Sequence, residues 1–199
     1  LRVEIDEQHT TIQLGQRPTA DNLYTPRDGV EWLMARTAVQ ASEYALTMMG
    51  HHTGIVHLAM ENFAMASNRQ LAHNHPLAAL LRPHLRYMMS QDELSRRTFI
   101  NPGGYIDRLL APSLAGSLEI AARSFKRWNL HQWALPRDLA ERGVDDLQTL
   151  PHYPFRDDGL LVWNATAEYV SAYLDRFYTS DADVHADLEL RAWLDDGRP

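Results

Sequence analysis

The chain has 199 residues, 45% hydrophobic and 23% charged, which suits one domain, or two small ones, with a sizeable core. It contains no cysteine, which excludes disulfide scaffolds, cysteine-ligated zinc, iron–sulfur clusters and thiol nucleophiles. A net charge of −7 recruits neither nucleic acid nor an anionic membrane, and no apolar run reaches the roughly 18–20 residues of a spanning helix.

In chain order, Leu1 to Pro26 reads as irregular or extended, with Thr10 to Leu14 as a short strand. Pro26 has the position of a helix-opening proline with Thr25 as its cap. Apolar residues then recur at helical spacing through Val30, Leu33, Met34, Ala38, Ala41, Ala45 and Met48. Gly50 interrupts the pattern, which resumes from Ile55 to Leu71. Pro76 and Pro83 bracket a short helix, and a longer one is predicted from His84 to Ile100, stopped by Asn101-Pro102-Gly103-Gly104. Residues Tyr105 to Ala134 read as interrupted helix, and Leu135-Pro136 opens a short one ending near Gly143. Asp145 to Gly159 is predicted as loop, with Asp157-Asp158-Gly159 as a turn before a final helix from Leu160 to Tyr178. An acidic tail follows from Ser180, and the class is mainly α. The chain begins with Leu1 rather than Met, which reads as a processed, cut or cropped chain, and no signal-peptide pattern opens it. Eighteen Arg against the single Lys126 fits a GC-rich coding sequence; a bacterial source is expected, and the compartment stays open between cytoplasmic and secreted.

Ten histidines are present, and six fall between His51 and His84. Neutral imidazole is the commonest metal ligand and suits iron, zinc and copper, but histidine is also an ordinary residue of helix surfaces. His52 and His57 are five apart, about 140° round a regular α-helix. They converge only where a helix widens into a π-type turn, and such turns occur mostly at functional sites. Thr53 or Gly54 is where that widening would sit, while His51 has the wrong register for either geometry.

The residues together resemble the catalytic domain of the lipoxygenases, from about Ile12 to about Asp195. Ile12-Gln13-Leu14 and Trp32-Leu33-Met34-Ala35-Arg36 resemble that family's entrance loop and tryptophan-led helix. His52-x4-His57-Leu58, Glu61-x-Phe63 and Asn68-Arg69-Gln70-Leu71 resemble its iron-binding helix. His75-Pro76, Leu80-Leu81-x-Pro83-His84 and Arg96-x-x-Phe99-Ile100-Asn101 follow in the same order, as does Tyr153-x-Phe155-Arg156-Asp157-Asp158-Gly159-Leu160-Leu161-Val162-Trp163.

The resemblance implies a mainly α fold, the N-terminal-side portion of the large helical lipoxygenase domain, with a long π-bulged iron-binding helix. Residues 1–199 would form a partial catalytic domain: an entrance loop over 1–26, the tryptophan-led and iron-binding helices over 27–71, and surrounding helices and loops over 72–199. It implies one non-haem iron (Fe2+/Fe3+) per complete domain, with His52 and His57 as two of its ligands. His75 and His84 match histidines that shape the metal's surroundings. Thr47 stands where many members have a further, non-ligating His, and Met48 where many have Gln, which implies fewer hydrogen bonds around the metal. By position, Ser95, Phe99, Ile100 and Ile106 would line or abut an apolar substrate channel. Ser95 falls where the family uses Ala or Gly, which points to an S-configured product.

The implied reaction takes a hydrogen atom from the central methylene of a cis,cis-pentadiene in a polyunsaturated fatty acid. O2 then adds to the radical to give a hydroperoxide, an oxylipin. The family's remaining ligands come from a later helix and the C-terminal carboxylate, so the expected partner is the remaining C-terminal part of the same protein, as a separate fragment or chain. Alone, these residues are expected to aggregate or stay unfolded. Peripheral membrane contact stays open, and no nucleic acid is expected. A catalytically silent lipoxygenase-like domain that binds lipid or a protein is the alternative; hydroperoxide isomerisation and a generic helical interaction module are further readings.

Overall fold

The computed structural model describes residues 2–5 and 10–197. Residues 6–9 of the predicted entrance loop, His9 among them, lie outside the described residues. Three antiparallel strands come first, β1 (Arg2–Ile5), β2 (Thr10–Gln13) and β3 (Leu23–Tyr24), in the order β1-β2-β3. Their register pairs Val3 with Ile12 and Ile12 with Tyr24. The strand predicted at Thr10 to Leu14 is therefore present, within a sheet that the sequence pattern did not reveal. Thr25 caps the 3-10 turn Pro26–Asp28 through a capping box: its hydroxyl accepts from the Arg27 N–H, and Asp28 reaches back to the Thr25 N–H at 2.6 Å.

Helix α1 (Val30–Ala45) runs without a break into a π-helix, Leu46–Ala59, and then into α2 (Met60–Gln70). The residues at both junctions, Leu46 and Ala59, keep right-handed helical dihedrals. Shorter helices follow: α3 (Pro76–Leu81), α4 (Met88–Thr98), α5 (Tyr105–Leu109), α6 (Leu114–Arg127), a 3-10 turn (Leu130–Trp133) and α7 (Leu135–Glu141). The C-terminal elements are α8 (Pro154–Leu174), α9 (Asp181–Ala186) and α10 (Leu188–Asp196). Among the described residues, no helix is long and apolar enough to cross a membrane.

The interrupted helix expected from Tyr105 is present as α5, α6 and the 3-10 turn. Three regions differ from the sequence expectations. Helix α4 starts at Met88, not His84, because Tyr87 turns the chain with φ 66°. Helix α8 begins at Pro154, six residues before the predicted start, and ends at Leu174. Asp157-Asp158-Gly159 is thus helix interior and not a turn. A Cβ on Gly159 would lie 2.9 Å from Leu135 Cδ2, so this glycine lets α7 and α8 approach closely. The acidic tail is helical, because its acids are caps and partners. Ser180 and Asp183 form a capping box, and Asp187 caps α10.

The chain divides into two compact units, Leu1–Gly54 with Leu94–Ser124, and Ile55–Glu93 with Phe125–Pro199. In the first, Met49, Ile106 and Ala121 are buried together, with Met48, Ile100, Leu110, Leu114 and Ile120 packed around them. Gly50 and Gly54 allow this packing. A Cβ on Gly54 would lie 2.8 Å from the Ala121 carbonyl oxygen, and one on Gly50 2.8 Å from Ser124 Oγ. In the second unit α10 packs on α2. Phe63 meets Trp193 at 5.7 Å and Trp128 at 6.0 Å between ring centroids, and the Trp193 indole N–H donates to Ser67 Oγ at 2.9 Å. Arg69 and Gln70 both donate to Asp196. Arg156, 1% exposed, donates through Nη1 to the carbonyls of Val144, Asp146 and Leu150 and through Nε to Asp157, which ties the 142–153 loop to the start of α8.

Candidate metal centre

The two histidines singled out by spacing lie on the π-helix Leu46–Ala59. The sequence predicts one local widening at Thr53 or Gly54; the structure carries it over fourteen residues. In this winding the backbone bonds run i→i+5, so residues five apart come towards one side of the helix instead of standing about 140° apart. Isolated π-helices are rare because the wider turn packs its own backbone poorly. Here the helix gains support from its surroundings. Thr53 donates its hydroxyl to the Met48 carbonyl, five residues back, at 2.8 Å, and Gly50 and Gly54 allow the close approach of the 114–124 segment.

Each histidine has a partner at Nδ1. His52 Nδ1 lies 3.2 Å from Met48 Sδ, and His57 Nδ1 lies 2.5 Å from Asp92 Oδ1. A thioether and a carboxylate are both acceptors, so each ring donates through Nδ1 and a neutral ring then carries its lone pair on Nε2. Met48 is a weaker acceptor than an amide oxygen would be. His57 is half-buried and Asp92 is 3% exposed, so their hydrogen bond is sheltered from water. Among the described residues, no group of three or more His, Asp or Glu is arranged to hold a metal. The residues present fit iron as a pair of imidazoles: soft enough for a redox-active metal, and in the case of His57 oriented by a carboxylate in the manner of metal-bound histidines.

The other predicted site residues are placed as follows. Thr47 and His51 are exposed on the π-helix. His75 caps α3: its Nδ1 accepts from the Leu77 N–H at 3.1 Å, and its Nε2 donates to Asp187 at 3.0 Å. Burial raises the Asp187 carboxyl, but the Leu190 N–H, the Tyr178 hydroxyl and His75 outweigh it and hold Asp187 below the usual carboxylate range. Burial, and then Asp187 as acceptor, push the Tyr178 phenol up. His84 is exposed in a turn. Ser95 is half-buried on α4, and its carbonyl accepts from the Phe99 and Ile100 N–H groups. Phe99 is half-exposed and lies against Tyr105 with the rings tilted by 41° and 5.0 Å between centroids; Ile100 and Ile106 join the Met49 core. Asp92 was not legible as a site residue. It sits in Gln91-Asp92-Glu93, which reads as a solvated helix face, and only its burial sets it apart.

The lipoxygenase family model matches residues 8–198. The chain belongs to the lipoxygenase family. It is 38% identical over 185 residues to the polyunsaturated fatty acid lipoxygenase ALOX15B of Rattus norvegicus, a match covering 92% of this chain and 27% of that protein. It is 37% identical over 189 residues to the linoleate 9/13-lipoxygenase of Pseudomonas aeruginosa, covering 92% of this chain and 28% of that one. The anaerobic crystal structure of delta413-417:GS LOX in complex with arachidonate superposes with a TM-score of 0.86 at 34% identity, over 94% of this chain and 28% of the other. The fold is therefore the helical lipoxygenase fold with its π-wound helix, and the chain spans about a quarter of the length of its curated relatives.

Proposed function

We propose that these residues supply two ligands of a non-haem iron site in a lipoxygenase that dioxygenates polyunsaturated fatty acids to hydroperoxides. The π winding of Leu46–Ala59 carries this reading, because it gives the five-residue spacing of His52 and His57 a geometric purpose. Bound there, iron would supply the one-electron chemistry for removing a hydrogen atom from the pentadiene methylene, with O2 as the second substrate. The chain's own contribution is to hold and orient. His52 and His57 offer neutral imidazole nitrogens, and Met48 and Asp92 take their Nδ1 protons. Ile100 and Ile106 are packed with Met49, which suits them to wall an apolar channel beside Ser95 and Phe99. Thr47, His75 and His84 would tune the surroundings without binding the metal. We read the whole chain as part of one catalytic domain, whose other ligands come from the rest of the protein, in the same chain or as a separate fragment.

The test uses the full-length protein. About one iron per molecule, with conjugated-diene hydroperoxide formed from linoleic acid, is expected, and His52→Gln or His57→Gln should lose both iron and turnover. Chiral analysis should give mainly S product if Ser95 behaves as Ala does. A protein that holds lipid but neither iron nor activity overturns this reading in favour of the silent alternative.

A further inference from the structure

Among the described residues of the second unit, His57 pairs with Asp92 and His75 with Asp187, and the two carboxylates differ in their surroundings. Asp187, the partner of His75, accepts three hydrogen bonds, from the Leu190 N–H, the Tyr178 hydroxyl and His75. That carboxylate is satisfied by the fold, and its role is to cap α10 and tie it to α3. Asp92, the partner of His57, is more deeply buried, at 3% exposure. Among the described residues, its Oδ1 meets His57 Nδ1 and its Oδ2 has no hydrogen-bond partner. A buried carboxylate oxygen without a hydrogen-bond partner leaves part of the group's desolvation cost uncompensated. It is the only buried residue of α4, a helix otherwise suited to face solvent. A cation on the far nitrogen of the same ring would supply the missing charge.

We propose that Asp92 is a positioning residue for the iron site, an inference that rests on His57 being a ligand. Its carboxylate holds the Nδ1 proton of His57, which fixes the ring's tautomer and orientation and leaves the lone pair on Nε2. The negative charge also strengthens that nitrogen as a donor and favours ferric over ferrous iron. No covalent step is involved.

The experiment compares full-length wild type with Asp92→Asn, which keeps the shape and an acceptor oxygen but removes the charge. Iron affinity, measured by competition with a chelator, should fall about 10–100-fold. The ferric/ferrous midpoint potential should rise, and the ferric electron paramagnetic resonance signal should change shape. A wild type that binds iron beside an Asp92→Asn protein of equal affinity and potential overturns the inference and leaves the proposed function standing. A wild type that binds no iron overturns both. Should the variant not fold, the crystal structure of the iron-loaded wild type decides: iron on His57 Nε2 with Asp92 on Nδ1 supports the inference, and Asp92 turned away from His57 overturns it.

Discussion

Replacing Gly54 by alanine tests whether the π-helix depends on close packing. Its Cβ would stand 2.8 Å from the Ala121 carbonyl oxygen and 3.3 Å from both the Met49 carbonyl oxygen and Ser124 Cβ. Ordinary contact begins at 3.4 Å, so relief needs a shift of 3.4 − 2.8 = 0.6 Å against backbone, which cannot swing aside as a side-chain tip does. Overpacking of this kind costs about 1–3 kcal/mol, with the backbone obstacle placing it in the upper half. Alanine recovers about 0.5–1 kcal/mol through its better helix propensity. The net expectation is a loss of about 1–2.5 kcal/mol. Because Gly54 lies between His52 and His57, iron content should fall with it. Gly116→Ala is the control, since its Cβ would meet neighbours only at 3.4 and 3.5 Å and should be neutral or slightly stabilising. The assay is denaturant unfolding of the full-length protein with iron measured on the same samples. A Gly54→Ala protein as stable as wild type, with unchanged iron, would refute the packing argument.

Two further substitutions address the second unit. Arg156→Met keeps the apolar stem but removes the donor to the Val144, Asp146 and Leu150 carbonyls; it should cost about 2–3 kcal/mol and open the 142–153 loop to limited proteolysis. Undiminished protection of that loop would count against the role given to Arg156. Asp187 sits below its unfolded-state value of about 3.9, so its stabilising contribution is present above about pH 4 and is lost as the pH falls through the folded value. Asp187→Asn should therefore be less stable than wild type near neutrality, with the gap closing in acid. A gap that stays constant through the acid range would show that the hydrogen bonds to Asp187 do not depend on its charge.

Local chemistry made several elements legible: Thr25-Pro26 as a capped start, Pro76–Leu81 as a short helix, and the glycine-rich stop after Asn101. Each is decided by dihedral limits and hydrogen bonds within a few residues. Gly159 and the tail acids misled because their reasons lie elsewhere in the fold. Gly159 serves a contact with Leu135, and Asp196 and Glu189 meet Arg69, Gln70 and the Ala72 N–H more than a hundred residues away.

The amino-acid sequence by itself determined the helical class, the family and the two histidines five residues apart, because composition, periodicity and ordered motifs are local properties of the chain. Tertiary structure decided the rest. A π turn spreads over Leu46–Ala59 where glycines let the 114–124 segment approach, and Asp92 is buried on α4, where His57 meets it from thirty-five residues away. Neither follows from neighbouring residues, since burial and partner choice depend on which helices pack together.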